Sequence, residues 1–136
     1  MIKINKMTDY AVLIISKLSN AEDDFVSSDK LALICGLNKS TVSQILKTLS
    51  KGDFLGSKKG INGGVYLTRT IDKISLYDVL VLMEGGICLT ECCDIDIRDC
   101  NCDCKHKCGL VYNWDKINNR IVDIFKKAKI KDLMEN

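Results

Sequence analysis

The chain has 136 residues, a formal net charge of +2, 46% hydrophobic and 28% charged residues, and no proline. That length fits one domain, or a small domain with an appended element, and the apolar content excludes global disorder. No stretch approaches the roughly 18 apolar residues of a membrane span, and polar residues interrupt the apolar run at residues 11–15, so a cytoplasmic protein without a signal peptide is expected.

The elements follow in chain order. Residues 8–18 read as a first helix with Ala11, Ile14, Ile15 and Leu18 on one face, Thr8 as N-cap and Asp9 as a first-turn acid. Glu22-Asp23-Asp24 reads as a solvated loop. Ser28 is expected to cap a short helix carrying Leu31, Ala32 and Ile34 and ending at Gly36. Asn38 then caps a third helix over residues 39–49, with Val42, Ile45, Leu46 and Leu49 inward. Two helices around a tight glycine-containing turn match the helix–turn–helix pattern. In that geometry the second helix enters the major groove with its N-terminal residues at base edges, here Lys39, Ser40, Thr41, Ser43 and Gln44, with Lys47 behind them. The competing reading of this polar face is plain solvation.

Two β-prone runs around residues 54–55 and 65–67 flank the glycine-rich stretch 56–64, which predicts a hairpin. A hairpin after a helix–turn–helix is a wing. Lys58 and Lys59 would meet phosphates and Asn62 could reach a minor groove. A nucleotide-binding loop is disfavoured, because no Lys-Ser/Thr and no helix start follow Gly64. Ser75-Leu76-Tyr77-Asp78 reads as a capping box opening a helix to about residue 83, ended by Gly85-Gly86. A last helix over residues 110–129 carries Val111, Trp114, Ile117, Ile121, Ile124, Phe125 and Ala128 as one stripe. That stripe suits a partner helix, and so a homodimer reading a palindromic operator; packing on its own domain is the alternative.

Charge is unevenly spread. Residues 38–73 hold seven basic side chains against two acidic, whereas residues 88–108 hold five acidic against three basic. A basic middle on a nearly neutral chain is the footprint of a nucleic-acid face. Seven of the eight cysteines fall within residues 88–108: Cys88, Cys92, Cys93, Cys100, Cys102, Cys104 and Cys108. In a reducing compartment such crowding points to a metal, cluster or redox site rather than disulfides. Paired C-x₂-C knuckles are absent, and spacing alone does not choose between zinc, with His106 available, and iron–sulfur; a thiol switch is a third reading. Cys35, at the end of a helix, reads as a small buried apolar residue. Enzyme and electron-carrier readings are weak, because the chain has one histidine, no second cofactor motif, and a basic helix and wing that a ferredoxin does not need.

Five stretches carry a resemblance over nearly the whole length. They are Lys6-Met7-Thr8-Asp9-Tyr10-Ala11, Thr41-Val42-Ser43-Gln44-Ile45-Leu46, and Gly60-Ile61-Asn62-Gly63-Gly64-Val65-Tyr66-Leu67. The others are Leu89-Thr90-Glu91-Cys92, and Cys108 on through Asn113-Trp114-Asp115-Lys116-Ile117-Asn118. In this order they resemble the Rrf-type winged helix–turn–helix regulators, which include iron–sulfur assembly regulators and nitric-oxide-responsive repressors. The fourth and fifth stretches are most similar to the branch that regulates SUF iron–sulfur assembly genes. The resemblance implies a homodimeric repressor on promoter DNA, with an iron–sulfur cluster (2Fe–2S or 4Fe–4S) on Cys92, Cys102 and Cys108. A fourth ligand supplied by a histidine three residues after the last cysteine is excluded, since Val111 stands there. The family's other choice is an acid in the first helix of the partner subunit, which falls on Asp9, with His106 and the extra cysteines as competitors. The implied organisation is a winged helix–turn–helix domain over residues 1–84, a cysteine-rich loop over 85–109, and a dimerisation helix and tail over 110–136. The fold class expected is mainly α with a small β-hairpin wing.

Overall fold

The computed structural model describes residues 2–91 and 108–134. In chain order they form α1 (Lys6–Ser19), α2 (Ser28–Cys35), α3 (Lys39–Lys51), β1 (Leu55–Lys58), β2 (Gly64–Leu67), α4 (Leu76–Glu84) and α5 (Val111–Lys127), then a short 3-10 helix (Ile130–Leu133). The architecture is mainly α with one antiparallel hairpin, as the sequence predicts. Apolar faces of the first four helices meet in one core around the fully buried Ile14, Ile15, Leu31, Ile45, Leu49, Ile74 and Val79. Burying side chains of this size contributes roughly 1.5–3 kcal/mol each. Among the described residues no helix is long and apolar enough to cross a membrane.

Two predicted caps are displaced. α1 starts earlier than the sequence reading had it, capped by Asn5, whose side-chain oxygen accepts the Met7 N–H at 3.0 Å. Thr8 cannot cap because its hydroxyl is used elsewhere. It is fully buried and donates to a carboxylate oxygen of Glu84 at 2.6 Å. The same oxygen accepts the Asn5 N–H at 3.0 Å, so one carboxylate fastens the start of α1 to the end of α4. Ser27, rather than Ser28, caps α2 by accepting the Lys30 N–H at 3.2 Å. The capping box on α4 is present as read: Ser75 and Asp78 exchange backbone-to-side-chain bonds of 2.9 and 3.1 Å.

In the hairpin Leu55 lies opposite Leu67 and Lys58 opposite Gly64. It does not stand alone. Val26, just before α2, exchanges both backbone hydrogen bonds with Val65, at 3.0 and 2.9 Å. Gly64 is required at this join: a Cβ there would sit 2.5 Å from the Val26 backbone. The result is a wing braced against the helix–turn–helix by a third, one-residue strand.

The chain after α5 returns to the core. The Leu76 N–H donates to the Ala128 carbonyl at 2.8 Å, and the Ile130 N–H to the Ile74 carbonyl at 3.0 Å. Ile130 itself is fully buried. α5 also has two apolar flanks. Asn118 and Val122 are buried and Ile121 and Phe125 half-buried, while Trp114, Ile117 and Ile124 stay 39%, 44% and 64% exposed. Its own domain thus covers only part of the stripe.

Ile130→Ala is expected to lower unfolding free energy in urea by about 2–4 kcal/mol, as for other fully buried aliphatics. Thr8→Val keeps the side-chain volume but removes the donor to Glu84; because Glu84 is partly in solvent, a loss of about 1 kcal/mol is expected in the same assay.

Candidate nucleic-acid interface and cysteine loop

α3 is positioned from both sides. Inward, Val42, Ile45, Leu46 and Leu49 are buried. At its start Asn38 accepts the Thr41 N–H and the Ser40 hydroxyl, both at 2.8 Å. α2 ends at Gly36 in the left-handed region, which turns the chain sharply into α3. The outer face then carries Lys39, Ser40, Ser43, Gln44 and Lys47, all exposed, with Thr41 half-buried. The residues differ in readiness. The Lys39 ammonium lies 3.0 Å from Asp29, and the Ser40 hydroxyl belongs to the cap. Among the described residues the side chains of Ser43, Gln44 and Lys47 have no partner on the chain. No acid sits in the first turn of α3, so its positive dipole end is left open to an anion such as a DNA phosphate.

The wing presents Lys58, Lys59 and Asn62, all exposed. Lys58 is steadied by Phe25, its ammonium 4.9 Å from the ring centre. Phe25 in turn meets Tyr66 edge-on, with ring centres 5.5 Å apart. Sequence reading missed Phe25 and Val26 as wing supports: they lie about thirty residues before the hairpin and carry no local turn signal. Arg69, just after β2, is exposed, with its guanidinium 4.6 Å from the centre of the Phe54 ring.

The cysteine loop leaves α4 through Gly85 and Gly86, next to Glu84. The backbone is caught again at Leu89, whose N–H donates at 3.1 Å to the side-chain oxygen of the buried Asn118 in α5. In the sequence Leu89 and Asn118 belong to separate motifs with no local signal of this contact. Cys88 is exposed, and Cys108 is half-buried just before α5. Cys92 and Cys102 lie outside the described residues, as do Cys93, Cys100, Cys104 and His106. Among the described residues no three His, Cys, Asp or Glu side chains gather into a metal-binding group. Asp9 is exposed in the first turn of α1, and its carboxylate has no partner among the described residues. Cys35 is half-buried. Burial pushes its thiol up, with Lys17 opposing, so it is a poor thiolate source. A cleft of about 310 Å³ runs between residues 2–4, α4 and α5, lined by Ile2, Ile4, Leu80, Ile87, Leu89 and Phe125 beside Cys88.

Comparison with known proteins agrees with this geometry. The Rrf2 family profile, described as an iron-dependent transcriptional regulator, matches residues 4–136. The chain is 22% identical over 135 residues to the HTH-type transcriptional regulator NsrR of Bacillus licheniformis, covering 98% of this chain and 93% of that one. The fold is similar to that of CymR, the global cysteine regulator of B. subtilis, with a TM-score of 0.70 and 19% identity over 98% of this chain and 96% of that one. It is similar too to T. potens IscR, with a TM-score of 0.69 and 21% identity over 98% and 86%. The match of the family profile to almost the entire length makes this chain a member of the Rrf2 family of transcriptional regulators.

Proposed function

We propose that this Rrf2-family regulator is a homodimeric repressor of iron–sulfur assembly genes, whose DNA affinity depends on an iron–sulfur cluster, 2Fe–2S or 4Fe–4S. Its ligands are Cys92, Cys102 and Cys108, with Asp9 donated by the partner subunit. The observation that carries this reading is the placement of Asp9. Its carboxylate is exposed and unpartnered at the start of α1, one residue from Thr8, which Glu84 ties to the root of the cysteine loop. Thiolates with one carboxylate are a donor set that fits an iron–sulfur cluster, and Cys108 and Asp9 are both accessible. When bound, such a group supplies a cross-link that redox change or nitric oxide can remove.

The chain's own residues then do the coupling. Cys108 fixes the N-terminal end of α5, and Leu89 on Asn118 holds the other side of the loop to the same helix. Ile117, Ile124 and Trp114, left exposed by their own domain, form the apolar seam with a second α5. Asp9 engaged across that seam sets the spacing of the two recognition helices, so ligand loss changes which half-site spacing they reach. Ser43, Gln44 and Lys47 read or approach base edges, Lys39, Ser40 and Thr41 flank them, and Lys58, Lys59 and Asn62 act from the wing.

Protein purified without oxygen is expected to absorb in the visible and to contain iron and acid-labile sulfide. Zinc without iron would move the reading to a structural zinc, and neither metal would move it to a thiol switch. Asp9→Ala is expected to destabilise the cluster and to shift operator affinity in a gel-shift titration; no change in either rejects Asp9 as ligand. Ile117→Glu with Ile124→Glu is expected to yield monomers by analytical ultracentrifugation.

A further inference from the structure

The tip of the wing carries an isoleucine that nothing in the fold uses. Ile61 is 103% exposed, so no other side chain of the described residues covers it. It is one of the two central residues of a four-residue turn closed by the Gly63 N–H donating to the Gly60 carbonyl at 3.0 Å; Asn62 is the other. Both have negative φ, since Asp53 is the one non-glycine residue with positive φ among those described. A β-branched apolar residue is a poor choice for such a turn, where Pro, Asn, Asp and Gly are favoured for conformational reasons. Local structure therefore gives no reason for isoleucine here.

The tip is also presented on a braced support. A Cβ on Gly63 would sit 2.1 Å from the Lys58 carbonyl oxygen, so the two sides of the loop close tightly there. Below it, Val65 is bonded to Val26, and Lys58 and Tyr66 both rest on Phe25. An apolar group held out in this way keeps its binding geometry before any partner arrives.

Its neighbours indicate the partner. Lys58 and Lys59 place positive charge on the β1 side of the tip and Asn62 places an amide next to Ile61, while Glu22, Asp23 (paired with Lys30) and Asp24 line the cleft on the α2 side. The minor groove has the matching arrangement: two phosphate walls, a narrow apolar sugar-lined interior and a floor of adenine N3 and thymine O2 acceptors. A guanine there adds a 2-amino group that fills the floor with a donor. Apolar side chains are used by minor-groove proteins as wedges in this setting.

We infer that Ile61 is a specificity-determining residue: with Asn62 donating to the floor, it occupies the minor groove and selects base pairs that lack a 2-amino group. The inference rests on the DNA-binding reading of the wing and not on the cluster. The test uses a duplex selected from a random pool by the wild-type protein, with the wing-facing A·T pairs located by hydroxyl-radical footprinting. Replacing those pairs by inosine·C keeps the minor-groove surface, whereas 2,6-diaminopurine·T keeps the major-groove pattern and adds the amino group. Wild-type protein is expected to bind the inosine duplex within about twofold and the diaminopurine duplex about tenfold more weakly, within the usual worth of a base contact. Ile61→Ser, which cannot disturb a core it does not touch, is expected to bind the A·T duplex about tenfold more weakly and to lose most of the diaminopurine penalty. Its salt dependence should stay at the wild-type slope, while Lys59→Ala should flatten that slope by about one unit of log K per log salt. Equal binding of A·T and diaminopurine duplexes by wild type, or wild-type affinity of Ile61→Ser, overturns the inference. If Ile61→Ser keeps DNA affinity but alters repression in a reconstituted transcription assay, Ile61 is instead a protein contact. Failure to select any duplex would strike at the DNA-binding reading itself.

Discussion

One carboxylate holds the two halves of this protein's logic together. Glu84, the last residue of α4, accepts from the Asn5 backbone and the buried Thr8 hydroxyl and so fixes where α1 begins. On one side of that joint the next residue of α1 is Asp9; on the other, Gly85 opens the cysteine loop. A charge-assisted bond to a buried hydroxyl is strong for its size and directional. It therefore holds the α1 start in register with the loop root, where apolar packing alone would tolerate sliding. The DNA-binding core hangs from the same helix, since Ala11, Ile14, Ile15 and Leu18 of α1 supply part of its apolar centre.

What could be read from the sequence was what local chemistry decides. Asn38 before a polar–apolar run, Ser75 three before Asp78, and the glycine-rich stretch between two short β-prone runs each specify a cap or turn within a few residues. The helix–turn–helix, the wing and α4 were therefore legible. Apart from the one-residue shift of the α2 cap to Ser27, what the sequence hides shares a cause. Thr8 looks like an N-cap until a partner 76 residues away takes its hydroxyl. Phe25 and Val26 look like loop until Val65 and Tyr66 arrive beside them. Ile130 looks like tail until Ile74 and Leu76 offer a free carbonyl and N–H on the far side of the fold. Each depends on a long-range contact that periodicity does not encode.

The exposed polar face of α3 was legible as a set but not in its internal differences. Lys39 and Ser40 satisfy the same composition rule as Ser43, Gln44 and Lys47, yet Asp29 and Asn38 occupy them. Their pairing positions the helix start and leaves the next turn to face outward unencumbered. In the loop the sequence shows the cysteines, and Asn118 belongs to a recognisable motif there, but its bond to the Leu89 backbone depends on a partner 29 residues away.

The return of the chain at Ala128 and Ile130 has a mechanical meaning. The C-terminal end of α5 is pinned by two backbone bonds and a buried isoleucine, whereas its N-terminal end begins at the cysteine loop. A 17-residue helix is roughly 25 Å long at 1.5 Å per residue. The buried Asn118 and Val122 seat its middle on the core as well, so its arm is the stretch 111–117, about 10 Å by the same rise, and a 1 Å pull at Cys108 would tilt that arm by roughly 6°. Ile117 and Ile124, the exposed apolar flank, lie on either side of that pivot, so a displacement at the loop end of α5 would reach both.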